Sequence, residues 1–155
     1  MTGTLKFVNI LRIWIGFVAV MAIGNTVQCF ISNTYLYDRL YTINKNNVSG
    51  LTARLFGVWT LLAGGLRLLC ALHIENRVLY HTTLFSFFLA QLHFLSEVFV
   101  YKTAAFTAGI IAPVIVSSVS ILLMLIGYWF VEWNDPRAGY TDENEQILKG
   151  SKKSK

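Results

Sequence analysis

Long apolar runs broken by single polar side chains dominate the pattern along the chain, and four can be drawn, at about 8–31, 51–73, 79–101 and 104–131. The hydrocarbon core of a bilayer is about 30 Å thick and a helix rises about 1.5 Å per residue, so roughly 20 apolar residues cross it. Each run meets that length. The pattern therefore predicts an all-α integral membrane four-helix bundle over residues 1–133. Residues 134–155 form a polar tail, first acidic and then basic, expected to be mostly disordered.

The third run, Tyr80 to Tyr101, carries Gln91, His93 and Glu97 inside an otherwise phenylalanine- and leucine-rich segment. A charge near the bilayer centre costs at least about 2.5 kcal/mol, so Glu97 is expected near an interface, facing protein, or neutral. At helical spacing Thr82, Ser86, Ala90, His93 and Glu97 share a face, the expected bundle interior. In the first run Asn25, Gln28 and Ser32 form a polar stripe able to bond across helices. The second run holds Arg54 and Arg67, with Gly57 and Gly64 seven residues apart on one face as a packing seam. Arg67 is close enough to its helix end to be expected to snorkel to the headgroups.

A short connector around Asn76 makes the second and third helices an antiparallel hairpin. Arg54 lies 22 residues before Asn76 and Glu97 lies 21 after it, which puts them at similar depth and predicts an ion pair. Asn25 and Gln28 belong to the same side. The expected polar cluster inside the bundle is therefore Asn25, Gln28, Arg54, His93 and Glu97. In the fourth run Pro113 removes a backbone donor, with Ser117, Ser118 and Ser120 nearby to re-satisfy local groups, and a kink is expected. Tyr128, Trp129 and Trp133 form an aromatic anchor at its exit. The 32–50 connection is rich in tyrosine and asparagine, and its Asn47-Val48-Ser49 acceptor pattern sits too close to the next helix for glycosylation to be expected.

Composition sharpens this picture. The chain has 155 residues, 55% hydrophobic and 14% charged, against a charged share of about 25% in soluble domains. The net charge of +5 lies at helix ends and in the tail rather than in an aromatic-interleaved patch, which points to membrane lipid and not to nucleic acid. Four crossings put both termini on one side, the side richer in Lys and Arg, so both are expected in the cytosol with the 32–50 loop across the membrane. The ending Lys152-Lys153-Ser154-Lys155 resembles a dilysine retrieval signal of endoplasmic reticulum membrane proteins. Cys29 and Cys70, in different runs and expected at opposite depths, read as packing residues and not as a disulfide.

Candidate chemistry changes little. The three histidines form no HxxxH pair, and no HExxH, CxxC or glycine-rich nucleotide fingerprint occurs, so no catalytic, cofactor or metal site is expected. His93 and Glu97, four residues apart, leave open proton shuffling by an intramembrane isomerase. A lipid-binding or transport protein is the other alternative, although no internal repeat supports transport.

Five segments, Gly24 to Gln28, Leu36 to Thr42, Ala53 to Thr60, Leu79 to His81 and His93 to Glu97, taken in order resemble the ergosterol biosynthetic protein 28 family. The resemblance covers roughly residues 7–133. It implies a small non-catalytic, multi-pass protein of the endoplasmic reticulum membrane that tethers the enzymes of sterol C-4 demethylation. The implied partners are the sterol C-4 methyl oxidase, the C-3 sterol dehydrogenase/C-4 decarboxylase and the 3-keto sterol reductase. No catalytic residue is implied.

Overall fold

The computed structural model describes residues 2–134 apart from 33, 45 and 47. The described chain is helical: α1 (Thr2–Ile31), α2 (Tyr35–Arg39), α3 (Gly50–Leu72), α4 (Arg77–Phe99) and α5 (Ala108–Gly127). The four long helices are each long and apolar enough to cross a membrane, as the hydrophobic pattern predicts. Asn47, the tail beyond 134 and its Lys152 and Lys153 lie outside the described residues.

Local chemistry sets several boundaries. The Ser49 side chain accepts from the Thr52 amide at 3.2 Å and starts α3; the Asn76 side chain accepts from the Leu79 amide at 3.1 Å and starts α4. Helix α1 begins ahead of the expected residue 8, because no breaker precedes the apolar run and a helix can extend past the hydrocarbon. Helix α5 is shorter than expected at both ends. Thr107 is extended at φ −103° and ψ 165°, and Ala104 before it packs into the core as part of a link. After Gly127 the chain turns and buries Val131. An apolar run reports what is buried or in lipid, not where helical hydrogen bonding stops. The helix continues through Pro113, and Ser117, Ser118 and Ser120 turn their hydroxyls onto the carbonyls of Pro113, Val114 and Val116 respectively, at 2.7–2.8 Å.

The helices pack chiefly as two pairs, α1 on α3 and α4 on α5, with a thinner seam between α3 and α4. The α1/α3 pair closes over small residues. A Cβ on Gly64 would stand 3.1 Å from Ile23 Cγ1 and 3.3 Å from the Ala19 carbonyl oxygen, and one on Gly57 2.9 Å from the Phe30 ring, so both glycines form the expected seam. Beside them the hydroxyls of Thr26 and Thr60 meet at 3.0 Å.

Two buried clusters divide the core by depth. One gathers Leu11, Ile15, Cys70, Tyr80, Phe87 and Met124; the other, around the 32–49 connection, gathers Cys29, Leu36, Ala53, Phe94 and Ile110. Cys29 and Cys70 are therefore buried, unpaired and in separate clusters. Helix α2, absent from the sequence expectation, owes its place to Leu36, which is fully buried. Arg67 departs from the snorkelling expectation. It is buried, with Cζ 4.2 Å from the centroid of the Phe87 ring, because α4 covers the path its side chain would take.

Candidate functional site

Where the α3/α4 seam opens, beside the 32–49 connection, it forms a cleft of about 630 Å³, within the roughly 300–1,000 Å³ typical of small-molecule sites. One end is polar. On α4, His93 and Glu97 stand one turn apart, with Nδ1 and Oε1 separated by 4.0 Å. The Tyr41 hydroxyl lies 2.6 Å from the other ring nitrogen, Nε2. Burial first, and the nearby Glu97 second, raise the Tyr41 phenol above its ordinary value, so it stays protonated beside Nε2. When the phenol donates to Nε2, the imidazole hydrogen sits on Nδ1, facing Glu97.

The second Glu97 oxygen accepts from the Thr103 hydroxyl. Thr103 reaches back because Lys102 adopts a left-handed φ of 53°, which also lets the Thr103 amide donate to the Glu97 carbonyl at 2.9 Å. The rest of the cleft is apolar. Phe56 and Trp59 of α3 pack edge to face at 5.3 Å, and Trp59 lies edge-on to His93 at 5.2 Å. Leu55 and Leu89 form an exposed rim.

Of the expected polar cluster, the structure brings together His93 and Glu97 and separates the rest. Arg54 is exposed, and the described residues show no ion pair between it and Glu97. Asn25 is exposed and accepts from the Tyr35 hydroxyl at 2.9 Å; Gln28 is exposed as well. Counting residues along two helices gives depth but not direction. The α3 face that packs carries Ala53, Gly57, Thr60 and Gly64, and Arg54 is turned about 100° from Ala53. On α1 the packed face carries Ala19, Ala22, Thr26 and Cys29, which leaves Asn25 and Gln28 outside it. Sequence reasoning missed Tyr41, Thr103, Phe56 and Trp59. The Phe56/Trp59 spacing of three on α3 was a usable signal, whereas Tyr41 and Thr103 reach the site only through loop conformation. Among the described residues no group of three or more His, Cys, Asp or Glu is placed to hold a metal ion.

Four long apolar helices around an amphipathic cleft define the class: a multi-pass α-helical membrane protein. The family model described as Erg28 like protein matches residues 11–122, reaching all four long helices. The Ergosterol biosynthetic protein 28 homolog of Homo sapiens is 54% identical over 127 residues, covering 82% of this chain and 91% of that protein. Ergosterol biosynthetic protein 28 of Candida albicans is 41% identical over 113 residues, covering 73% and 81%. The Saccharomyces cerevisiae protein of the same name is 26% identical over 111 residues, covering 72% and 75%. The chain belongs to the ergosterol biosynthetic protein 28 family. No solved structure matches it.

Proposed function

We propose that this chain acts in sterol biosynthesis as a non-catalytic scaffold of the endoplasmic reticulum membrane. It tethers the sterol C-4 methyl oxidase, the C-3 sterol dehydrogenase/C-4 decarboxylase and the 3-keto sterol reductase. The observation that carries this reading is the family match across all four long helices, together with the names its relatives bear. Tethering raises the effective concentration of successive enzymes, to the millimolar range for short spans, around an intermediate too insoluble to diffuse through water. The apolar side chains that α1 and α3 expose, Ile13, Phe17, Leu62 and Leu69 among them, suit lateral contact with lipid or with other helices. Both termini face the cytosol in this reading, where Lys152 and Lys153 serve as the retrieval signal.

Affinity isolation in a gentle detergent tests the reading: the three enzymes are recovered with the chain, and cells lacking it accumulate 4-methyl sterols. Failure to recover any of them, with sterol flux unchanged, would remove it. In sealed microsomes, external protease removes a C-terminal tag; a protected tag reverses the orientation. A second reading, an intramembrane sterol isomerase, is favoured by the His93–Glu97 approach of 4.0 Å within a cleft. Turnover of a sterol by the purified chain, abolished by His93→Ala, would select it over the scaffold.

A further inference from the structure

We propose that the α3/α4 cleft binds a sterol with a free 3-hydroxyl, the hydroxyl seated between His93 and Glu97 and the rings lying against Phe56 and Trp59. The choice of a sterol among neutral alcohols rests on the scaffold reading; the hydroxyl-recognising end stands on geometry alone. Nδ1 of His93 and Oε1 of Glu97 are 4.0 Å apart, too far for a good hydrogen bond with each other. A hydroxyl both donates and accepts through one oxygen, so it fits between them. In the proposed complex the Tyr41 hydroxyl, 2.6 Å away, donates to Nε2, and Nδ1 donates to the incoming oxygen. The hydroxyl hydrogen goes to Oε1, because the other Glu97 oxygen already accepts from Thr103.

The same arrangement discriminates against other headgroups. A ketone or an ester has no hydrogen to give Glu97, and a phosphate or carboxylate brings a second negative charge against it. The apolar part suits a flat, rigid body. The lining runs from Thr52 to Trp59 on α3 and from Leu89 to Glu97 on α4. The cleft thus extends about 11–12 Å along the helices. Fused rings meet its aromatic walls with less ordering cost than acyl chains. The rim leucines, Leu55 and Leu89, are 62% and 43% exposed where lipid tails would lie, which gives sideways entry from the bilayer with the hydroxyl level with the 32–49 connection.

The test uses the full chain, purified into phosphatidylcholine nanodiscs and photolabelled with a diazirine-bearing 3β-hydroxysterol. Label is expected on 52–59 and 89–97, competed by the unlabelled alcohol at least about tenfold better than by its 3-acetate or 3-ketone. Glu97→Leu weakens labelling by a similar factor. Leu55→Trp, on the exposed rim where it cannot disturb the core, blocks the cleft and abolishes label while leaving thermal unfolding unchanged. Label spread over the lipid-facing surface, acetate competing as well as alcohol, or undiminished label in Leu55→Trp would each overturn the site. Enzyme recovery from the same membranes is scored separately: recovery without cleft labelling overturns the site alone, and cleft labelling without recovery supports the site while removing the scaffold.

Discussion

Replacing Arg67 isolates the energetics of a buried cation that the described residues show resting on an aromatic face. Its guanidinium carbon lies 4.2 Å from the Phe87 centroid, and its Nε has no hydrogen-bond partner among the described residues. A desolvated cation–π contact contributes about 2 kcal/mol. Phe87 is 1% exposed, so Phe87→Leu also changes packing, by up to about 1.5 kcal/mol. In the wild-type background that substitution should therefore cost up to about 3.5 kcal/mol, and in Arg67→Met only up to about 1.5 kcal/mol. Arg67→Met by itself should be close to neutral or stabilising, since an apolar side chain of similar length replaces a charge that is costly to bury. Reversible unfolding in bicelles, followed by tryptophan fluorescence across the four variants of the cycle, reads the coupling. Equal costs of Phe87→Leu in both backgrounds, within about 0.5 kcal/mol, would show that the guanidinium does not use the ring and reaches the interface instead.

Three further outcomes follow from close contacts. A Cβ at Gly109 would collide with the Arg39 carbonyl, so Gly109→Ala should force α2 and α5 apart and cost about 1–3 kcal/mol; an unchanged melting temperature in detergent would show that the two helices are not seated together. The Thr26 and Thr60 hydroxyls lie 3.0 Å apart and each also reaches a carbonyl of its own helix, Ala22 or Gly57; two hydrogens serve three contacts, so a Thr→Val double-mutant cycle should give a coupling of only about 0.6 kcal/mol. A coupling near zero would mean that the hydroxyls are spent on their own helices. Lys102→Gly should stabilise by up to about 1 kcal/mol, because a side chain is disfavoured at its φ of 53°; a loss measured by the same unfolding assay would show that the lysine side chain itself holds the link.

What the sequence by itself determined is the set of four long helices, without the short α2. Run length gave four helices long enough to cross a membrane, the connector around Asn76 marked the turn between α3 and α4, and Gly57 with Gly64 marked a packing seam on α3. It also singled out His93 and Glu97 as neighbours, since a spacing of four on a helix leaves them little choice. The tertiary structure alone decided which way each helix faces. In water an amphipathic stripe reveals the buried side, but in lipid the outward face is as apolar as the core: Ile13, Leu62 and Leu122 are exposed, while Ile15, Ala63 and Ile121, each near them in sequence, are buried. Rotation about the helix axis is then set by close packing, which left Arg54, Asn25 and Gln28 outside and drew Arg67 in against Phe87. The cleft depends on that rotation and on two loop residues, Tyr41 and Thr103, carried to His93 and Glu97 from distant parts of the chain or around a tight turn. Hydrophobic periodicity records neither effect, because both arise from shape and hydrogen bonding between segments and not from the partition of side chains between water and oil.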